Sequence, residues 1–118
     1  MTHATRIVAA VAVLVALAAG GPVQAQDEAD AWRERAEQGD ADAQYTLGVM
    51  YATGRGVPQN DGEAARWVRL AAEQGFAEAQ GLLGTAYASG QGVPQDDVQA
   101  HMWLTLAAAR TIGQAQGL

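Results

Sequence analysis

The sequence predicts an all-α protein: a short α/α solenoid of two full 36-residue repeats with half-units at its ends. Three observations carry that prediction. Residues 36–71 and 72–107 align without a gap and are identical at 21 of 36 positions. A fixed period of roughly 20–50 residues is the signature of stacked helical or helix–strand units. Hydrophobic residues make up 49% of the chain and aromatic ones only 6%, with Ala, the strongest helix former, prominent among them. Finally, each repeat holds two stretches of helical period, separated by a glycine stop and a Val-Pro step.

The elements follow in order. Residues 1–25 read as a secretory signal peptide. Arg6 supplies the positive start, and Ile7–Ala19 is an unbroken apolar run of thirteen residues. A membrane-spanning helix needs about 20, so the run is too short to be one. Gly20, Gly21 and Pro22 break it, and Val23-Gln24-Ala25 places small residues at the cleavage positions. Cleavage after Ala25 leaves 93 residues and no membrane span; an uncleaved anchor is the competing reading. Loss of Arg6 takes the net charge from −6 to −7. Residues 26–35 supply an N-terminal half-unit, with a helix expected near 28–38.

In the first repeat, Ala43, Gln44, Leu47, Gly48 and Tyr51 share one helical stripe, which predicts a helix over 41–53. Gly54 stands where a helix-terminating glycine belongs. Val57 must be extended because Pro58 follows it. Asn60 and Glu63 have capping-box spacing, with Asp61 as the competing cap. The next helix, over 61–74, places Ala64, Trp67, Leu70 and Ala71 in its core stripe, and Gly75 ends it. The second repeat says the same with Ala79, Gln80, Leu83, Gly84 and Tyr87, then Gly90, Val93-Pro94, Asp96 and Gln99. Its helices are expected over 77–89 and 97–110, with Ala100, Trp103, Leu106 and Ala107 in the core. Gly48 and Gly84 sit in mid-helix, where Gly costs about 1 kcal/mol against Ala. Occurring twice at one register, they predict close backbone approach between helices. Residues 108–118 read as a tail that begins a third unit, since Ala115-Gln116-Gly117-Leu118 aligns with Ala79-Gln80-Gly81-Leu82.

The block A-x-A-Q-x-x-L-G-x-x-Y-x-x-G-x-G-V-P-Q-x-D, then A-x-x-W-x-x-x-A-A, resembles the Sel-like repeat. It spans Ala41–Asp61 with Ala64–Ala72, and Ala77–Asp97 with Ala100–Ala108. The resemblance implies a tetratricopeptide-related, right-handed solenoid that acts as a scaffold for protein–protein contact. It also implies kinship with exported bacterial adaptors, and with members that bind or cleave cell-wall-like ligands.

Charge and composition narrow the chemistry. The seven cations are all Arg against thirteen Asp and Glu, so the chain has no electrostatic footprint for nucleic acid. It is equally unsuited to an anionic membrane surface. There is no cysteine, hence no thiolate nucleophile or zinc cluster. After residue 25 the chain holds one His, one Ser and no Lys. Ser89 beside the stop glycine reads as a terminal polar residue, and His101 lacks a second His with which to ligate a metal. Gly54-Arg55-Gly56 and Gly90-Gln91-Gly92 join helix to helix rather than strand to helix, so they read as structural loops, not phosphate cradles. Trp67 and Trp103 share the stripe of Ala64 and Ala100 and read as core. No catalytic residue, metal or cofactor is assigned.

The function expected is therefore a non-enzymatic interaction scaffold of the bacterial envelope, periplasmic or secreted, with an unidentified protein partner. The alternative is a small enzyme or binder acting on muropeptide or β-lactam-like ligands. The expected partner-binding stripe is the face of each first helix that differs between the repeats: Asp42, Tyr45, Thr46, Val49 and Met50, with Glu78, Leu82 and Thr85. The same residues could instead be covered by the helix near 28–38, and periodicity leaves both readings open. The tail, with Ile112 and Leu118 as its apolar residues, is expected to self-associate weakly or to dock on a partner.

Overall fold

The computed structural model describes residues 22–115 and 117. The apolar run 7–19 and most of the signal-peptide reading lie outside the described residues. Five helices follow one another: α1 Pro22–Glu37, α2 Ala41–Thr53, α3 Asp61–Glu73, α4 Ala77–Ser89 and α5 Asp97–Ala115. Among the described residues there is no strand. The main packing contacts join helices adjacent in sequence, the nearest-neighbour order of a stacked repeat. No helix of the described residues is long and apolar enough to cross a membrane.

The middle helices keep the expected bounds, and the outer ones run longer. α1 begins at Pro22 rather than near 28, and proline suits the first helical position because its missing N–H has no partner to lose there. The expected cleavage point falls in its first turn. α5 runs to Ala115 rather than 110. Gly39 and Gly75 end α1 and α3 with φ of 95° and 91°, a left-handed step that a residue with a side chain rarely takes. Thirty-six positions after Gly75 stands Thr111, so α5 is not stopped. Residues 108–115, read above as the start of a third unit, are the last turns of α5.

The turn between the helices of each unit is built twice in the same way. Gly54 and Gly90, both at φ 75°, return their N–H to Met50 O and Ala86 O. Asn60 N then donates to Tyr51 O at 2.9 Å, and Asp96 N to Tyr87 O at 3.0 Å. Asn60 caps α3 by accepting from Glu63 N at 3.0 Å. Asp96 caps α5 by accepting from Val98 N and Gln99 N. Asp61 and Asp97 therefore lie inside the first turns instead. The reciprocal half of the capping box is absent at Glu63, whose carboxylate turns to Arg66 at 3.0 Å.

The shared stripe of the first helices is the core. Ala43, Leu47, Ala79 and Leu83 are fully buried. Gly48 is there because α3 leaves no room: a Cβ would stand 2.5 Å from Val68 Cγ2 and 3.1 Å from Ala64 O. At Gly84 the Cβ would stand 2.7 Å from Leu104 Cγ and 3.1 Å from Ala100 O. The expected place of Leu70 and Leu106 in the core is wrong. They are 37% and 42% exposed, while Val68 is 2% exposed. α3 packs against α2 on one side and α4 on the other, so its buried arc is wide. It runs from Trp67 through Ala71, Ala64, Val68 and Ala72 to Ala65, and Leu70 falls just past the Trp67 edge.

Candidate functional site

A 36-residue shift also maps α1 onto α3, which makes α1 the second helix of a preceding half-unit. The chain thus has two like junctions: α1 with α2, and α3 with α4. The same polar links tie both. Gln44 Nε2 donates to Ala36 O and Gln80 Nε2 to Ala72 O, each at 3.1 Å. These buried glutamines add a second bond to carbonyls at the ends of α1 and α3 that already accept from Gly39 N and Gly75 N. Arg33 donates to the Tyr51 hydroxyl at 2.5 Å, and Arg69 donates to the Tyr87 hydroxyl. The Gly56 and Gly92 loops lie against the backbone of Ala25 and Asp61 respectively.

Ionisable groups at the junctions serve structure. The Arg35 guanidinium, 2.7 Å from Asp40 Oδ2, and the Ala43 N–H hold the Asp40 carboxyl below its ordinary range. Arg66 does the same for Glu63, and Glu63 raises Arg66 in return.

The expected partner stripe does not stay together. Met50 is 5% exposed and belongs to the core. Tyr45 is half-buried, with its ring 5.3 Å from that of Phe76. It is covered from the following repeat, not from the N-terminal helix. Thr46 and Val49 are half-buried too, and the Thr46 hydroxyl donates back to Asp42 O. Asp42, Glu78 and Thr85 are exposed. Leu82 of the stripe lines a concavity.

That concavity is a cavity of about 210 Å³ in the second junction. Ala64, Ala65 and Val68 of α3 form one wall, and Leu82, Leu83 and Ala86 of α4 the other. Ala52, Asp61 and Gln91 complete its rim. The first junction explains why it exists. Where the second has Val68 and Ala86, the first has Trp32 and Met50. Trp32 packs against the buried cluster of Ala36, Ala43, Leu47 and Trp67. Where the second has Ala64 on its wall and Gln91 at its rim, the first has Glu28 and Arg55, an ion pair at 3.5 Å. Two large side chains have become smaller and an ion pair has been lost; Thr46 to Leu82 and Ala25 to Asp61 are the changes that add bulk, the second also adding a charge at the rim. Sequence reading missed this site because it compared the repeats as faces, not as fillers of the same volume. The exchange of Met50 for Ala86 was the available signal.

Ser89 and His101 do not meet in a catalytic arrangement. The Ser89 hydroxyl donates to Thr85 O at 3.0 Å, and His101 is exposed on α5. Among the described residues, no three His, Asp or Glu side chains cluster to hold a metal.

The pattern of the Sel1 repeat matches residues 41–76 and 77–111, more than half of the chain. The chain belongs to the Sel1 repeat family. Sel1 repeats are generally protein-interaction scaffolds and typically non-catalytic. The family's fold agrees with the solved structures the chain resembles. A protective antigen of uropathogenic Escherichia coli with an SLR fold is 40% identical, with a TM-score of 0.71, over 72% of this chain and 18% of that one. A Sel1 repeat protein from Oxalobacter formigenes is 36% identical, also with a TM-score of 0.71, over 72% of this chain and 25% of that one. The Sel1 repeat chain therefore spans a quarter or less of the length of these relatives. No curated protein sequence matches it.

Proposed function

We propose that this Sel1 repeat protein is a non-enzymatic adaptor of the bacterial envelope, exported through residues 1–25. It holds a partner protein by receiving one apolar side chain in the cavity between its two repeats. The observation that carries this reading is the difference between the junctions: the cavity is lined by Val68 and Ala86 where the other junction has the bulkier Trp32 and Met50. A cavity with apolar walls and a few polar groups at its edge is the usual form of a recognition pocket. Asp61 on the rim, in an acidic chain, favours a basic residue beside the inserted side chain. Self-association through the C-terminal end belongs to the same reading, as a second contact.

The test places a photo-crosslinking residue at Gln91, in the wild-type protein and in Ala86→Met, inside the producing cell. The proposal expects a discrete adduct with the wild type, lost in Ala86→Met without loss of helicity or melting temperature. An undiminished adduct in Ala86→Met would exclude the cavity as the contact. The mass of the exported form should begin at Gln26; a full-length membrane-bound product would contradict the export route. Turnover of muropeptide or β-lactam by the purified protein would contradict the non-enzymatic reading.

A further inference from the structure

α5 carries a second surface, on its far side from α4. Val98, Met102, Thr105, Ala109 and Ile112 are separated by 4, 3, 4 and 3 residues. That is the spacing of a coiled-coil seam. All five are exposed, with Val98 at 79%, Ile112 at 57% and Met102 at 41%. Thirty-six positions earlier stand Gly62, Arg66, Arg69 and Glu73 on α3, and Phe76 just past its end. Two of these positions carry exposed charge in the first copy, Arg66 and Glu73, and exposed apolar side chains in the second, Met102 and Ala109. A further repeat stacked on α5 would leave Val98, Met102 and Ala109 of this stripe open, whereas Arg69 and Phe76, the counterparts of Thr105 and Ile112, are half-buried. On α3 the following repeat buries Ala65, Val68 and Ala72, whose counterparts are His101, Leu104 and Ala108, while Gly62, Arg66 and Glu73 stay exposed.

We propose that this stripe is the interface of a homodimer, in which α5 of one copy packs against α5 of a second. The proposal rests on the self-association reading above and is independent of the inter-repeat cavity. Charge identifies the occupant. No Asp, Glu, Lys or Arg lies between Asp97 and Arg110, and the seam is flanked by Gln99, His101, Leu106 and Ala108. A basic partner would find nothing to pair with, whereas a second copy of this acidic chain meets no like charge along the seam. The seam is also complementary to itself. Run antiparallel, Val98 faces Ala109 and Met102 faces Thr105, large against small in both layers, and the helix dipoles oppose favourably. One pair of seams of this length offers less than the roughly 1,200 Å² total of a standard stable interface, so the dimer is weak.

The experiment is sedimentation equilibrium of the exported chain, beginning at Gln26, through the micromolar range. It compares wild type, Met102→Glu with Ala109→Glu, and Leu104→Glu. The expected result is a concentration-dependent dimer, weakened about tenfold or more by the Met102/Ala109 pair at unchanged helicity and melting temperature. Leu104→Glu, on the face a further repeat would cover, should leave it largely intact. A wild-type protein that stays monomeric throughout overturns self-association altogether. A dimer that survives the Met102/Ala109 pair and dissociates with Leu104→Glu overturns the seam and assigns the contact to the end of the stack.

Discussion

The two junctions of this molecule share one backbone plan and differ in what fills it. Both have the buried glutamine on the preceding helix end, the Arg–Tyr link and the loop glycine seated on a neighbouring backbone. In the first, the equivalent positions hold the bulkier Trp32 and the buried Met50, and Arg55 meets Glu28. In the second, Val68 and Ala86 leave about 210 Å³ open beside Asp61 and Gln91. The repeated links are what the stack requires of any unit. The filler residues are not required by the stack, so they are where one junction can become a site while the other stays core.

The largest effect expected lies in what both junctions need. Trp67 is 6% exposed and joins the cluster of Leu47. Trp67→Ala should cost roughly 3–5 kcal/mol, measured by urea unfolding. Trp103→Ala should cost less, because among the described residues no helix stacks on the far side of α5 as α4 does on α3. Equal losses would mean that the end of the stack is as tightly held as its middle.

Opening the filled junction comes next. Met50→Ala removes a side chain that is 5% exposed and should cost about 2 kcal/mol or more, a cavity value. Ala86→Met, which gives the second junction the filler of the first, should be neutral or stabilising. If Met50→Ala were as mild as a surface change, within about 0.5 kcal/mol, Met50 would be returned to the solvent face.

The helix glycines sharpen the comparison further. Gly48→Ala gains helix propensity but meets β-branched Val68 and the Ala64 carbonyl, and should destabilise by about 1–3 kcal/mol. Gly84→Ala meets Leu104, which is 43% exposed and free to swing outward, so its cost should be smaller. The opposite order in thermal unfolding would contradict the packing described.

The smallest effect is one of pH. Arg35 and the Ala43 N–H lower the Asp40 carboxyl, so its contribution is present above its unfolded pKa and is lost as pH falls through the lower folded value. Asp40→Asn keeps the cap and removes the titration. The variant should be slightly less stable than wild type near pH 7, and the difference should vanish as pH falls through the lowered Asp40 value.

Most of the fold was legible because the repeat states it twice. Ala43, Leu47, Gly48 and Gly54 recur as Ala79, Leu83, Gly84 and Gly90, and identical residues at identical spacing must meet like neighbours. The ends were less legible. Thr111 in the place of Gly75 carried the news that α5 continues, and the resemblance of the tail to a repeat start obscured it. The core limits on α3 failed at Leu70 because one stripe was assumed for a helix with two neighbours. The candidate site was the least legible part. Variation between copies was read as freedom from packing, yet Met50 varies because a cavity opens in its place at Ala86, and Tyr45 varies while packing on Phe76.

The most direct test is methyl NMR of the second junction with a small apolar probe such as indole. The account predicts shifts confined to the methyl groups of Val68, Leu82 and Leu83, none at Leu47, and their disappearance in Ala86→Met. Shifts of equal size at Leu47, or shifts at Val68 and Leu83 that persist in Ala86→Met, would contradict the claim that the two junctions differ by the space Ala86 leaves open.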